Sequence, residues 1–286
     1  MRKSFWDLAT EFAGYENELW AIIELFENRS FSPYGMDSVS SARTYIELYC
    51  FSEWVEKHPV TFTSLSNLMQ RLGLDDLERR ICFNQEITID KFLLYLEVVY
   101  NLLNMKTTFP PGMLEIRNRI THAIEIDCAR LNFEVRRCGD EQYIIVEKNA
   151  AATAVADKYA ASDLDFSFKV IEYNHFLLKG NIDRKREILL ALGQKYEPMH
   201  RQLEAGPFKN VSEDARALLN NLNIRHDNIS PEDKTHYNAN VAQMPASDLE
   251  EWYDRTYDIL LLALLAEDFS KVHKAVEELK RNFGNK

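Results

Sequence analysis

Apolar residues recur at three- and four-residue steps along most of this chain, a spacing that predicts amphipathic α-helices. The first such segment carries Phe5, Phe12, Leu19 and Phe26 among its apolar positions. Prolines and glycines interrupt the pattern between segments and end the helices there. The helices predicted for the opening region are 4–29, 37–57 with Asp37 or Ser38 as the cap, 64–72, 75–83, and 89–105 with Thr88 as the cap.

The pattern changes between residues 106 and 148. Two prolines and a glycine in 106–112 stop a helix and stiffen the chain, so we place a domain boundary there. A helix over 113–131 is followed by two β-prone runs, 132–137 and 142–147, which flank a Gly-Asp turn and predict a hairpin. The sequence therefore predicts an N-terminal helical domain over 1–110 and a connector of one helix and one β-hairpin over 111–148.

The remaining chain, 149–286, has the helical pattern throughout and predicts a C-terminal helical bundle. Ser247 and Glu250 have the spacing of a capping box at the start of one of its helices. The predicted fold class is mainly α, with an N-terminal helical region, a small β-hairpin and this bundle. The helices predicted for the bundle are 150–159, 162–179, 183–203, 212–226, 247–266 and 269–282.

Composition narrows the classes of function. With 46% hydrophobic and 28% charged residues the chain is typical of a globular protein, and a net charge of −11 excludes a basic nucleic-acid-binding domain. Any RNA contact has to be local, through a few clustered cations. No apolar run approaches the roughly 20 residues that cross a bilayer, and Asp7 and Glu11 interrupt the N-terminal segment where a signal peptide needs apolar residues. We therefore expect a cytoplasmic protein without a membrane segment.

The densest group of chemically capable side chains lies at 218–228, where a predicted helix runs into Ser230-Pro231. An arginine can bind a phosphate through two parallel hydrogen bonds, and a histidine can move protons near neutral pH. Alternatively, the polar residues cap the helix and open the turn, while the cations interact with the negative end of its dipole. The candidate catalytic residues are Arg225, His226 and Asn221, and the candidate substrate-binding residues are Asn223, Asp227 and Asn228.

Four segments carry a resemblance to a known family: Tyr173-Asn174-His175-Phe176-Leu177-Leu178-Lys179-Gly180-Asn181, Lys185-Arg186-Glu187-Ile188-Leu189, Asn220 to Asn228, and Trp252-Tyr253-Asp254-Arg255-Thr256-Tyr257. Together they resemble the C-terminal domain of bacterial proteins allied to abortive-infection proteins, which are similar to the HEPN superfamily (higher eukaryotes and prokaryotes nucleotide-binding). The resemblance covers residues 150–286. It implies an α-helical bundle, a homodimer, and a metal-independent endoribonuclease in which an arginine and a histidine direct attack by the RNA 2′-hydroxyl.

In this family the arginine and the histidine are separated by a few residues, whereas Arg225 and His226 are adjacent. Neighbours on a helix point about 100° apart, so one of the two has to turn at the helix end, and the next histidine, His236, lies beyond Pro231. Arg117 and His122 match the family spacing better and form an alternative pair. Arg130, Arg136 and Arg137 would supply positive potential near that pair. Alternatively, Arg117, Arg119 and His122 form only the solvated face of a helix whose apolar face is buried.

Two further features bear on the ligand. Trp252 and Tyr253 could form a rim that stacks an RNA base, although aromatic residues at helical spacing are also typical of a core. His175 and His200 lack partners at metal-ligand spacing, and no glycine-rich phosphate loop is present. We therefore expect neither a metal nor another cofactor.

Two hypotheses follow from the sequence. In the first, the protein acts on RNA in bacterial phage defence or in a toxin-like response, as a metal-independent endoribonuclease or as an RNA-binding protein. In the second, it is a non-catalytic module whose helical N-terminal half binds an unidentified protein partner and whose C-terminal domain dimerises.

Overall fold

A computed structural model describes residues 12–31, 40–51, 55, 62–106, 108–139 and 142–284. Within these residues the protein is mainly α-helical with two small antiparallel sheets, so the predicted fold class is confirmed. The chain divides into two compact units, Met1–Glu147 and Lys148–Lys286. None of the described helices has an apolar stretch long enough to cross a bilayer.

The N-terminal unit contains six α-helices among the described residues. Two of them, α1 and α2, continue into a π-helical turn, at Glu24–Asn28 and Glu47–Phe51. Thr88 caps α5 as predicted, because its hydroxyl accepts a hydrogen bond from the amide of Lys91. The predicted start of the first helix, from Ser4, lies outside the described residues. The helices are α1 (Tyr15–Ile23), α2 (Ala42–Ile46), α3 (Leu65–Arg71), α4 (Leu77–Cys82), α5 (Ile89–Leu103) and α6 (Pro111–Arg130).

The predicted hairpin is present in this unit. After the two-residue strands β1 (Ser30–Phe31) and β2 (Ser40–Ser41), strands β3 (Phe133–Arg137) and β4 (Tyr143–Glu147) pair antiparallel. Asn101 on α5 binds both the amide and the carbonyl of Tyr143, and Glu97 accepts the amide of Ile145. The segment predicted as a connector therefore packs on the helices of the N-terminal unit.

The regular elements of the C-terminal unit are all helices among its described residues, and loops connect them. Its longest helix, α13, is continuous over 39 residues, although two separate helices were predicted, because no glycine or proline interrupts it before its end. α13 packs against α7, α9 and α11, and Gly193 on α9 lets Leu219 of α11 approach to a distance that a β-carbon would obstruct. The helices are α7 (Ala150–Ala160), α8 (Leu164–Glu172), α9 (Ile182–Tyr196), α10 (His200–Glu204), α11 (Lys209–Asn221), α12 (Ala239–Ala242) and α13 (Ala246–Gly284).

A buried carboxyl group makes the stability of the N-terminal unit depend on pH. Asp127 on α6 is 3% exposed and accepts a hydrogen bond from Arg130, which also contacts Glu18 on α1. Burial raises the pKa of Asp127 to about 6, and the carboxylate of Glu18 adds to this effect. Between pH values of about 4 and 6 the folded state therefore binds more protons here than the unfolded state.

We expect Asp127 to lower the free energy of unfolding as the pH rises through this interval, by on the order of 2 kcal/mol. The Asp127→Asn variant should lose this dependence, because an amide does not titrate. Urea unfolding at several pH values, followed by circular dichroism, measures it. The matched control is Glu115→Gln, an exposed position on the same helix. Equal pH slopes in the wild type and in Asp127→Asn would contradict the prediction.

Candidate functional site

The polar cluster at 220–228 begins where α11 ends. The helix was predicted to reach His226, but it ends at Asn221, because Asn223 adopts the left-handed conformation with φ of 57°. Asparagine tolerates this conformation better than most residues. The amide of Arg225 then donates to the carbonyl oxygen of Leu219 at 3.1 Å, which completes the helix end. Arg225 and His226 consequently lie in the turn after the helix.

Asn223 and Asn228 hold this turn closed, and we call them the asparagine clamp. The amide of each donates to the side-chain oxygen of the other, at 2.7 Å for Asn223 and 3.2 Å for Asn228. Asn228 is 2% exposed, and its side-chain nitrogen donates to the carbonyl oxygen of His236 at 2.7 Å. Both asparagines were predicted to bind substrate. Their polar groups are instead used in hydrogen bonds within the protein.

The clamp joins the turn to a more distant part of the loop. The amide of Asn238 donates to the carbonyl oxygen of Asn228 at 2.8 Å, and Arg186 on α9 donates to the carbonyl oxygen of Asn223. Asp227, the third predicted substrate-binding residue here, accepts the amides of Ile229 and Ser230. Its carboxylate therefore caps the following turn, which is the role that the capping interpretation of the sequence assigned to it.

The hydrogen bonds of the asparagine clamp bring two imidazole rings together. The rings of His226 and His236 are stacked with their centroids 4.0 Å apart and their planes 8° apart. The Nδ1 atom of His236 lies 3.0 Å from a carboxylate oxygen of Asp233, and this hydrogen bond holds the pKa of Asp233 below its usual range. With Nδ1 protonated for this bond, Nε2 of His236 remains available to a ligand. Within the described chain, neither ring nitrogen of His226 has a hydrogen-bond partner.

The stacked histidines lie in an open polar groove with a volume of about 500 Å³. Asparagine side chains supply amide donors and acceptors along it, and Tyr237, 39% exposed, offers an aromatic ring. Asn221, a predicted catalytic residue, also lines the groove, although its side-chain nitrogen donates to the carbonyl oxygen of Ala217. The lining residues are Asn220, Asn221, His226, Asn228, Thr235, His236, Tyr237, Asn238 and Ala239.

Arg225 is not among the residues that line the groove. Its guanidinium group forms an ion pair with Glu197 and donates to the carbonyl oxygen of Gly193 at 3.4 Å. The arginine therefore joins the turn to the C-terminal end of α9. The structure brings His226 together with His236, and it does not bring Arg225 and His226 into the same groove.

The aromatic pair on α13 does not form the predicted stacking rim. Tyr253 is fully buried, and its hydroxyl has no hydrogen-bond partner among the described residues. Burial raises the pKa of this hydroxyl to about 12. Trp252 is 38% exposed, but the guanidinium group of Arg255 lies 4.8 Å above its ring. Tyr253 is thus a core residue, and one face of Trp252 is covered by a cation.

Several residues of the family resemblance form a polar network between α8, α9 and α13. Lys185, 6% exposed, forms ion pairs with Asp254 at 2.6 Å and Glu250 at 2.8 Å. Tyr173 donates to Asp254 and stacks on Tyr257. Because Glu250 binds Lys185 and the amide of Gly180, it does not form the predicted capping box with Ser247. These polar residues hold three helices together.

The alternative pair, Arg117 and His122, lies on α6 in the N-terminal unit. The guanidinium group of Arg117 donates to the carbonyl oxygen of Leu103 at 3.0 Å and to the side-chain oxygen of Asn104. His122 is exposed on the same helix. Arg117 is therefore used to join α6 to the end of α5, which leaves little of its hydrogen-bonding capacity for a phosphate.

The groove depends on the asparagine clamp, and replacing Asn228 tests this. We expect Asn228→Ala to lower the free energy of unfolding by about 2 kcal/mol, since it leaves the buried carbonyl of His236 and the amide of Asn223 unpaired. Limited proteolysis should also cleave the loop over 229–237 more rapidly. Asn240→Ala, an exposed position on α12, is the control. A proteolysis rate unchanged from the wild type would show that the clamp does not hold the loop.

The comparisons with known proteins place this groove in no established family. Models of protein families, curated protein sequences and solved structures all give no significant match to the chain.

Proposed function

We propose that this protein is a metal-independent endoribonuclease that cleaves single-stranded RNA in the groove of His226 and His236. The observation that supports the proposal is the imidazole stack, 4.0 Å between centroids, in an open polar groove. Cleavage of RNA by transesterification through its own 2′-hydroxyl needs one group that accepts a proton and one that donates a proton. Two adjacent imidazoles supply both groups near neutral pH.

The proposed reaction proceeds by in-line displacement at phosphorus. One imidazole in its neutral form accepts the proton of the 2′-hydroxyl, whose oxygen attacks the adjacent phosphorus. The other imidazole, protonated, donates its proton to the 5′-oxygen as the phosphorus–oxygen bond breaks. The products are a 2′,3′-cyclic phosphate and a free 5′-hydroxyl. Because the attacking and leaving oxygens lie a few ångströms apart, on opposite sides of phosphorus, the edges of two stacked rings can reach one each.

Asp233 acts as a positioning residue in this proposal. Its carboxylate binds the Nδ1 proton of His236, and this hydrogen bond is also what lowers the pKa of Asp233. A carboxylate in this position fixes the tautomer of the ring and leaves Nε2 facing the ligand.

Single-stranded RNA suits the groove better than a duplex. The side-chain amide of Asn220 can pair with an exposed base edge, and the ring of Tyr237 can stack on a base. None of the described residues that line the groove is an arginine, and the chain carries a net charge of −11, so the backbone phosphates would contribute little affinity. A role in phage defence or in a toxin-like response is part of the proposal and rests on the family resemblance alone.

Replacement of either groove histidine tests the proposed cleavage. We expect the purified protein to cleave fluorescent single-stranded RNA in the presence of a chelator, with a bell-shaped pH profile and cyclic-phosphate products. His226→Gln and His236→Gln should each lower the rate by a factor of about 100 or more, the usual contribution of a general acid or base. Asp233→Asn should lower it less, by about tenfold, because the ring remains but its tautomer is no longer fixed.

His122→Gln serves as the matched control, because it removes an exposed histidine from the alternative pair. Retention of full activity in this variant, with loss in the two groove variants, supports the groove. If His122→Gln abolishes cleavage and the groove variants do not, the site lies on α6. If total RNA, single-stranded oligonucleotides and RNA from infected cells all remain intact, the protein is not a ribonuclease.

A non-catalytic helical module for dimerisation or partner binding is the second candidate function. The observation that favours it is the internal use of Arg225, which is paired with Glu197, and of the asparagine clamp. In this case the polar cluster is a helix end stabilised by hydrogen bonds, and it needs no substrate.

The Arg225→Ala variant shows whether the arginine belongs to a catalytic site. We expect it to lower the free energy of unfolding by about 1 kcal/mol, because a partly buried ion pair and a bond to Gly193 are lost. The rate of RNA cleavage should change by less than about threefold, since the guanidinium does not line the groove. Thermal melting and the cleavage assay measure the two effects. A loss of about 100-fold in rate without a change in melting would restore Arg225 as a catalytic residue.

A further inference from the structure

The last part of α13 carries a stripe of apolar side chains that do not pack into the core of the unit. The packed face of this helix includes Tyr253, Tyr257, Leu260 and Leu264, all at most 2% exposed. Phe208 contacts the ring of Phe269 edge-on, but beyond Phe269 none of the described side chains is buried. A single helix of this length is marginal in water unless something packs against it.

The exposed apolar residues of this part, together with the half-buried Leu265, follow a regular order. They occur at alternating steps of three and four residues, which is the a and d pattern of a two-stranded coiled coil. Phe269, Val272, Leu279 and Phe283 are 54%, 58%, 51% and 69% exposed. We call the full set the C-terminal seam: Leu262, Leu265, Phe269, Val272, Val276, Leu279 and Phe283.

The direction of the seam leaves room for a second helix. At about 100° per residue, the mean direction of the seam lies roughly 120° around the helix axis from that of the four buried residues named above. A helix that pairs along the seam would therefore lie on a side of α13 that faces away from the core of its own unit. The same stripe begins at Leu262, 47% exposed, while the helix is still packed on that core.

The charge of the C-terminal segment favours a second copy of the same chain as the partner. Residues 267–286 contain five basic and four acidic residues, so this segment is nearly neutral although the whole chain has a net charge of −11. Two copies of the segment therefore do not repel one another. A helix that binds a membrane surface would instead carry a basic polar face, and here the polar face mixes both signs.

We propose that the C-terminal seam pairs with the seam of a second copy of this chain and forms a two-stranded coiled coil. Seven apolar positions over three heptads meet the minimum that such a pairing needs. The contact is small for a specific interface, near the lower limit of about 1,200 Å² in total. The pairing is therefore reversible and of micromolar affinity. It requires no residue of the groove, so it goes beyond the proposed ribonuclease function.

Sedimentation equilibrium of the full chain, from about 1 to 100 µM, tests the proposal. We expect the wild type to change from monomer to dimer over this range. The double variant Val276→Glu and Leu279→Glu should raise the dissociation constant at least tenfold, because it would bury two carboxylates in each strand. Val276→Leu, which keeps the seam apolar, should dimerise like the wild type. Since neither side chain packs on the core, the melting temperature at low concentration should not change.

Lys274→Glu is the matched control. It changes the net charge by the same two units as the double variant, at an exposed position on the outer side of the predicted coiled coil. Dimerisation should persist in this variant. A wild type that remains monomeric at the highest concentration overturns the proposal, and binding of that monomer to phosphatidylglycerol vesicles would then assign the seam to a membrane. A dimer that the double variant forms equally well also overturns it.

Discussion

The left-handed conformation of Asn223 determines what the polar cluster of the C-terminal unit can do. It ends α11 at Asn221 and turns the chain, and the reciprocal hydrogen bonds with Asn228 keep the turn closed. If the helix continued, Arg225 and His226 would point about 100° apart on its surface. The turn instead directs the arginine to Glu197 and the histidine into the groove. The backbone conformation of Asn223 thus places Arg225 in a structural ion pair and His226 in the groove, where it is a candidate catalytic base.

Buried polar groups in this unit serve mainly to fix its geometry. Lys185 is buried and is paired with two carboxylates, of which that of Asp254 is half-exposed. Its ammonium group also lies over the ring of Tyr173, so its charge is compensated although little water reaches it. Such a network joins helices in one arrangement, because any shift leaves a charge unpaired. Several of the residues that carry the family resemblance belong to this network. These residues hold the bundle of this unit together and do not line the groove, which is formed at the end of α11 and in the loop that follows it.

The sequence predicted the helices and the hairpin well, because apolar periodicity and a Gly-Asp turn are local signals. It failed at the end of α11, since a left-handed asparagine is stabilised by a partner five residues away rather than by its neighbours. His236 was set aside because Pro231 separates it from His226. The three-residue spacing of Asp233 and His236 was a usable signal, for it predicts an oriented imidazole. The stack itself depends on how the loop folds, which no local pattern encodes.

The groove and the C-terminal seam depend on different interactions, so a substitution can change one without changing the other. The groove is polar, and hydrogen bonds maintain its shape. Charge would add little to its affinity for a ligand, because none of the described residues that line it is an arginine or a lysine. The seam is apolar and consists of one regular helix. The free energy of its pairing would come from the burial of apolar surface. A substitution in the seam changes how much of the protein is paired without altering the imidazole stack.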